Sequence, residues 1–257
     1  MRVEFIPETD STNTEMKRRL AAGSVADGLL LYAARQTAGR GQRGNSWESA
    51  EGEGLYASLV MHPESLPVEE LAQVVKACAL AAADVVEGLI GQANLAKIKW
   101  PNDILVEGRK IAGVLVETGI RGDQVHELIL GFGVNLNQLA FPDSFSTPAV
   151  SVRQITGFGV DMHRAAELMQ KAAIHRIGPI SDPDQRRHLA QDYHARLFGR
   201  GELCLFEAES DTLAGTLVEI DTAGRARVLT ASGEQFLTHP VFRLVGLMPD
   251  ARQQNAP

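Results

Sequence analysis

Apolar residues at Leu71, Val74, Val75, Cys78, Ala82, Val85, Val86 and Leu89 recur every three or four positions, which predicts an amphipathic helix over residues 69–90. Pro67 stands just before it and Gly91 just after, as suits a helix start and stop. Residues 161–177 and 183–197 predict two further helices. A shorter helix over 15–22 ends at Gly23, with several N-cap candidates in Asp10-Ser11-Thr12-Asn13. Apolar runs at 3–6, 29–34, 55–61 and 125–134 predict strands. Three short β-like pieces, 96–100, 104–107 and 111–117, are divided by turns at Pro101-Asn102-Asp103 and Glu107-Gly108. Residues 138–148, rich in Pro, Ser and Phe, read as a loop.

The pattern changes after Gly199-Arg200-Gly201. Short strands at 203–206, 213–220, 226–230 and 235–238, with turns at 221–224 and 232–233, predict a small antiparallel β-barrel. The fold class is therefore α+β. A domain over 1–200 is followed by a barrel over 201–250 and a tail, 251–257, expected to be disordered.

Composition narrows the functional classes. The 257 residues carry a net charge of −7, so a general nucleic-acid binder is disfavoured and local positive charge becomes more telling. Cys78 and Cys204 lie far apart in apolar surroundings and read as buried free thiols. The start of the chain has no signal-peptide pattern, and no apolar run approaches the ~20 residues of a membrane span, so a cytoplasmic location without membrane contact is expected. The seven histidines show no metal-ligand spacing, and there is no Gly-x-Ser-x-Gly nucleophile elbow.

Four clusters remain as candidate chemistry. Asp10-Ser11-Thr12-Asn13 reads either as a helix cap or as hydroxyl and amide groups for a small polar ligand. Gln36 to Trp47 holds Gly39-Arg40-Gly41-Gln42-Arg43-Gly44, whose glycines free the backbone and whose arginines offer forked donors to an anion. It is neither a Rossmann fingerprint nor a Walker loop. Lys99-Trp100-Pro101-Asn102-Asp103 and Arg109-Lys110-Ile111-Ala112-Gly113 bracket a tight turn that would bring both segments to one surface, although Asn and Asp also suit a plain structural turn. Gly131-Phe132-Gly133-Val134-Asn135 places glycines inside a strand, which signals a bulge or a close backbone approach. With no convincing nucleophile, the clusters suit a reaction between two anionic substrates held by cations.

Together, in this order, they resemble the biotin protein ligases (biotin–[acetyl-CoA carboxylase] ligases). The resemblance covers almost the whole chain, and its C-terminal part looks like the SH3-like domain of that family. It implies a mixed-sheet, class II synthetase-like catalytic fold and two steps. Biotin and ATP would give biotinyl-5′-AMP, and a lysine of a biotin carboxyl carrier domain would then take the biotin. Carried over residue by residue, it places Ser11, Thr12, Asn13, Gln36, Arg40, Gly41, Gln42, Lys110 and Gly113 around biotin. Arg43, Trp47, Lys99, Asn102, Asp103 and Asn135 fall on the adenylate side, and Lys110 and Arg40 are the expected catalytic cations. Mg²⁺ is expected with ATP and no resident protein-bound metal; the loop carrying Arg40 is expected to order over the intermediate.

Two departures stand out. Many family members have Arg where this chain has Gln42, which implies weaker retention of the adenylate unless Arg43 compensates. The catalytic pattern begins at Met1, so the N-terminal DNA-binding domain of some bacterial members is not expected, nor is a nucleic-acid partner. Monomer and homodimer both stay open. The competing readings are a lipoate or octanoyl ligase, whose Arg-Arg-x-x-Gly-Gly-Gly signature is missing, and a non-catalytic biotin-binding module.

Overall fold

A computed structural model of the chain describes residues 2–23, 25–42, 45–48, 50–143, 145, 147–209 and 211–248. Arg43, Gly44 and the tail 251–257 lie outside the described residues.

The chain runs β1 (Arg2–Thr9), α1 (Thr12–Ala22), β2 (Leu29–Gln36), β3 (Gly54–Met61), α2 (Leu71–Ile90), β4 (Lys97–Lys99), β5 (Asp103–Val106), β6 (Arg109–Arg121) and β7 (Gln124–Asn135). It continues through α3 (Val152–Thr156), α4 (Met162–Ile177), α5 (Pro183–Arg196), β8 (Leu203–Glu207), β9 (Thr212–Ile220), β10 (Ala226–Thr230), β11 (Gly233–Leu237) and β12 (Arg243–Leu247). The local signals act as their chemistry requires. Helix α2 stops at Gly91, which takes the left-handed conformation at φ 79°. Asp161 caps α4 by accepting the Arg164 amide. Glu107 and Gly108, both at positive φ, make the tight turn between β5 and β6.

Seven strands form one mixed sheet in the order β1-β2-β3-β7-β6-β5-β4, in which only β1 and β2 run parallel. Alternation sends successive side chains to opposite faces. Leu30, Tyr32, Leu55, Ala57, Leu59, Leu130 and Phe132 join α2 and α4 in the main core. Leu29, Leu31, Val60 and Ile129 pack on Met16 of α1 in a smaller one. Strand β3 lies mid-sheet and is buried along nearly its whole length, which explains its continuous apolar run.

The C-terminal strands form an SH3-like five-stranded antiparallel sheet, ordered β11-β10-β9-β8-β12. Its inward residues Phe206, Leu217, Ile220, Val228, Leu237 and Leu244 belong to the same core as α2. The turn after β9 is also clamped by hydrogen bonds. Lys76 donates to the Ile220 and Asp221 carbonyls, Gln73 to Thr222, and Trp100 to Gly224. Burial lowers the Lys76 ammonium to about 8, against the pull of Asp221 and Glu219. Among the described residues no helix is long and apolar enough to cross a membrane.

Two elements escape the apolar pattern. Helix α3 has five residues, too few for a periodic stripe, and stands on a capping box between Ser151 and Gln154. Strand β12 is interrupted by a bulge between Leu244 and Gly246, and buries only Leu244.

Candidate active site

The face of the sheet that carries α1 is floored with small residues at one end. Gly113 of β6 pairs with Gly133 of β7, and Gly131 of β7 pairs with Ser58 of β3. A Cβ on Gly131 would stand 2.6 Å from Asn13 Oδ1, and one on Gly133 would stand 2.5 Å from Trp47 Cε2. The expected close approach to these strand glycines is therefore made by the protein's own side chains. Asn13 lies on Gly131, and the indole of Trp47 lies across Gly133 and Gly113.

Helix α1 brings Ser11, Thr12 and Asn13 to this floor. Ser11 is the N-cap residue, yet its side chain makes no capping hydrogen bond. The carboxylate of Asp10 accepts the Ser11 amide and a pair of bonds from Arg18, which hold it well below the usual carboxylate range. The local capping work thus falls to Asp10. Thr12 donates its amide and hydroxyl to Gln36 Oε1 at 2.8 and 3.2 Å. Ser58, fully buried, sits 2.8 Å from Thr12 Oγ1 and 2.5 Å from Asn13 Oδ1, so its single hydrogen serves one at a time. Asn13 Nδ2 then donates to Glu117 Oε2 at 2.9 Å. Glu117 also meets Lys17 at 2.8 Å and Arg40 at 3.2 Å. Burial raises its carboxyl pKa, but Lys17 and Asn13 outweigh that and the net shift is downward.

The other end of the cavity is more charged. Lys110 Nζ pairs with Asp103 Oδ1 at 2.7 Å and lies 5.2 Å from the Trp47 ring centre. The Lys110 backbone is tied down as well: its amide donates to Pro148, and its carbonyl accepts from Val150. Asn135 donates both amide hydrogens to backbone carbonyls, those of Lys110 and Val150, and Asn102 donates to Val114. Both asparagines brace the strands that present Lys110, in addition to lining the cavity. Lys99 donates to Thr147 and to the Val245 carbonyl of β12. Its ammonium is shifted down, chiefly by burial, with Lys110 and Arg243 adding to the shift and Asp103 opposing it. Strand β12 thereby supplies part of the wall through Arg243 and Val245, and His239 adds to it from the connection between β11 and β12.

The Gly-Arg segment folds back on itself. Gly41 donates to the Asn45 carbonyl and Trp47 to the Gly39 carbonyl, with Arg40 and Ser46 in a β-bridge. Arg40 is half exposed at the cavity edge.

One cavity of about 550 Å³ collects these groups. Its lining includes Ser11, Thr12, Asn13, Gln36, Arg40, Gly41, Gln42, Trp47, Lys99, Asn102, Asp103, Lys110, Gly113 and Asn135, which is every sequence-predicted site residue among the described ones. Arg43 lies outside the described residues. Sequence reasoning passed over Ser58 and Glu117. Ser58 sits inside a continuous apolar strand, and Glu117 reads as an ordinary strand charge; contacts 45 and 104 residues away define them. Among the described residues no group of three or more His, Cys, Asp or Glu is arranged to hold a metal ion.

Residues 5–135 match the model of the biotin/lipoate A/B protein ligase family. The chain belongs to that family. It is 30% identical over 225 residues to a biotin–[acetyl-CoA-carboxylase] ligase of Mycobacterium tuberculosis, covering 87% of this chain and 81% of that protein. Over 154 residues it is 38% identical to the bifunctional ligase/repressor BirA of Bacillus spizizenii, covering 59% of this chain but 46% of that protein. The match thus spans about half the length of the Bacillus relative. Among solved structures, it resembles a biotin protein ligase from Aquifex aeolicus in complex with biotin and ATP. That likeness has a TM-score of 0.79 and 28% identity, and covers 95% of this chain and 98% of that one.

Proposed function

We propose that the chain is an ATP-dependent biotin protein ligase that forms biotinyl-5′-AMP and passes biotin to a lysine of a biotin carboxyl carrier domain. The observation that carries this reading is one cavity with two chemically different ends. The hydroxyls and amides of Ser11, Thr12, Asn13 and Gln36 gather at one end, with Arg40 at its edge, and Lys99, Lys110 and Arg243 gather at the other. The first end suits the polar ring of biotin and the second the phosphates of ATP. The match to ligases that act on biotin, one of them solved with biotin and ATP, supports the same assignment.

The chemistry follows from charge. Biotin's carboxylate and the α-phosphate are both anionic, and like charges about 4 Å apart repel by about 4 kcal/mol at an effective dielectric of about 20. Lys110 offsets this between them, with Trp47 beneath its ammonium and Asp103 holding its position until an anion takes its place. A carboxylate oxygen forms a bond to the α-phosphorus while the bond to the leaving pyrophosphate breaks. In the second step a neutral lysine amine of the acceptor attacks the acyl carbon. The carbon–oxygen bond to phosphate breaks, AMP leaves with the electron pair, and the amine releases its proton. Arg40 closes over the intermediate from the loop edge and keeps out the water that would hydrolyse it. Mg²⁺ bound with ATP would be held mainly through phosphates and water and would offset phosphate charge there.

In this reading residues 1–200 are the catalytic unit. Residues 201–250 support its nucleotide end through the bond from Lys99 to Val245. The location is cytoplasmic, where biotin-dependent carboxylases would be met. Incubation with ATP and a carrier domain, with either biotin or lipoate, tests the proposal. Biotin on the acceptor lysine supports it; transfer of lipoate instead, or tight biotin binding without AMP release, refutes it.

A further inference from the structure

Arg40, the loop residue assigned above to close over the intermediate, is engaged by a carboxylate at the cavity edge. Its guanidinium NH1 lies 3.2 Å from Glu117 Oε1, while Lys17 lies 2.8 Å from the same oxygen. The other oxygen, Oε2, accepts the amide of Asn13 at 2.9 Å. Glu117 is thus the junction of three elements: β6 carries it, α1 presents Asn13 and Lys17, and the Gly-Arg loop presents Arg40. The two cations are not equivalent. The Lys17 contact is a hydrogen-bonded ion pair at 2.8 Å, whereas the Arg40 pair is longer at 3.2 Å; both cations are about half exposed. When Arg40 leaves, Lys17 still neutralises the carboxylate, so the site keeps its charge balance and Asn13 keeps its acceptor.

We propose that Glu117 is a positioning residue that holds Arg40 at the edge of the cavity and yields it to the adenylate phosphate. It rests on the ligase reading for the identity of the anion. Glu117 touches neither substrate in this scheme. It competes with the adenylate phosphate for one guanidinium, and it fixes the direction of the Asn13 amide on the floor.

Competition has a definite sign. Removing the charge of Glu117 while keeping an acceptor oxygen for Asn13 should favour the closed loop. An exposed ion pair of this kind corresponds to about a threefold change in an equilibrium. The experiment uses the full chain as wild type, Glu117→Gln, Arg40→Ala and the double variant. Biotinyl-AMP is formed in place from biotin and ATP, and its release and the biotin affinity are both measured. Glu117→Gln should slow adenylate release about threefold, leave biotin affinity within about twofold, and have no effect on release in the Arg40→Ala background. Faster release, or an equal effect with and without Arg40, would overturn the proposal.

A ligand-free reading separates this from failure of the ligase assignment. Amide hydrogen exchange at Gly41 and Trp47, which close the loop's small hairpin, should speed up about threefold in Glu117→Gln because the loop loses its anchor. Unchanged exchange would also overturn the parking role, whatever the protein's substrate. Absence of any biotinyl-AMP in wild type, with exchange altered as stated, would refute the ligase reading and leave the contact standing.

Discussion

Alanine at position 131 would put a Cβ 2.6 Å from Asn13 Oδ1 and 3.1 Å from its Cγ and Nδ2, where ordinary contact begins near 3.4 Å. The Asn13 amide must retreat by several tenths of an ångström. It is held on both sides, by the Ser58 hydroxyl and the Glu117 carboxylate, so it cannot retreat without straining or losing those bonds. A neutral hydrogen bond contributes about 1 kcal/mol and one to a charged group about 1.5–3 kcal/mol. Overpacking of a closed site alone costs about 1–3 kcal/mol. With partial relaxation, Gly131→Ala should lose about 2–4 kcal/mol of stability. For a chain of this size that lowers Tm by roughly 5–12 °C. Thermal unfolding and biotin titration measure both effects, and biotin affinity should fall by at least about tenfold, since ~1.4 kcal/mol at the floor suffices. The cause can be isolated in a cycle with Asn13→Ala, which removes the amide that clashes. On that background Gly131→Ala should cost less than about 0.5 kcal/mol further. Additive losses, or an unchanged Tm and biotin affinity in the single variant, would refute the packing of Asn13 on Gly131 as the reason for glycine there.

Lys110→Ala should lower biotin-dependent ATP–pyrophosphate exchange by orders of magnitude while the far-ultraviolet circular dichroism spectrum stays native; near-normal exchange would remove Lys110 from the reaction. Gln42→Arg should lengthen the half-life of bound biotinyl-AMP, because it adds a cation to a residue that lines the cavity. An unchanged half-life would show that position 42 does not govern retention. The buried Lys76 gives a pH signature. The folded protein releases its proton at about 8, whereas the unfolded chain holds it to 10.5. The unfolded state therefore binds more protons between these values, and stability rises with pH across that window. Relative to Lys76→Met, wild type should gain about 1 kcal/mol of unfolding free energy between roughly pH 7.5 and 9. A flat difference in urea unfolding would contradict the burial of that amine. Buried Cys78 acts in the opposite direction at higher pH, equally in both proteins.

The fold was legible wherever a face is buried over enough residues. Helix α2 shows a long apolar stripe and a left-handed glycine, and both were visible in the letters. The same holds for the β5–β6 turn and the glycine-rich loop. Helix α3 and strand β12 were not legible, because short elements rest on caps, bulges and one or two tertiary contacts. The site divides in the same way. Residues in compact motifs, such as Ser11 to Asn13 or Lys99 to Asp103, could be singled out. Ser58, Glu117 and Val245 could not, because their roles arise when β3, β6 and β12 meet α1, the loop and Lys99 in space. Some residues do two things at once. Asn135 and Asn102 line the cavity, and their amides also fix the backbone around Lys110.

The most direct measurement is a single turnover with enzyme in excess over biotin, with ATP present and no carrier domain, followed by a chase. One enzyme-bound biotinyl-5′-AMP should form for each biotin, with one pyrophosphate released. On adding carrier domain, the adenylate should disappear at the rate at which biotinylated lysine and AMP appear. Hydrolysis of ATP without a biotin adenylate, or an adenylate that the carrier domain cannot discharge, would contradict the assignment of this cavity to biotin ligation.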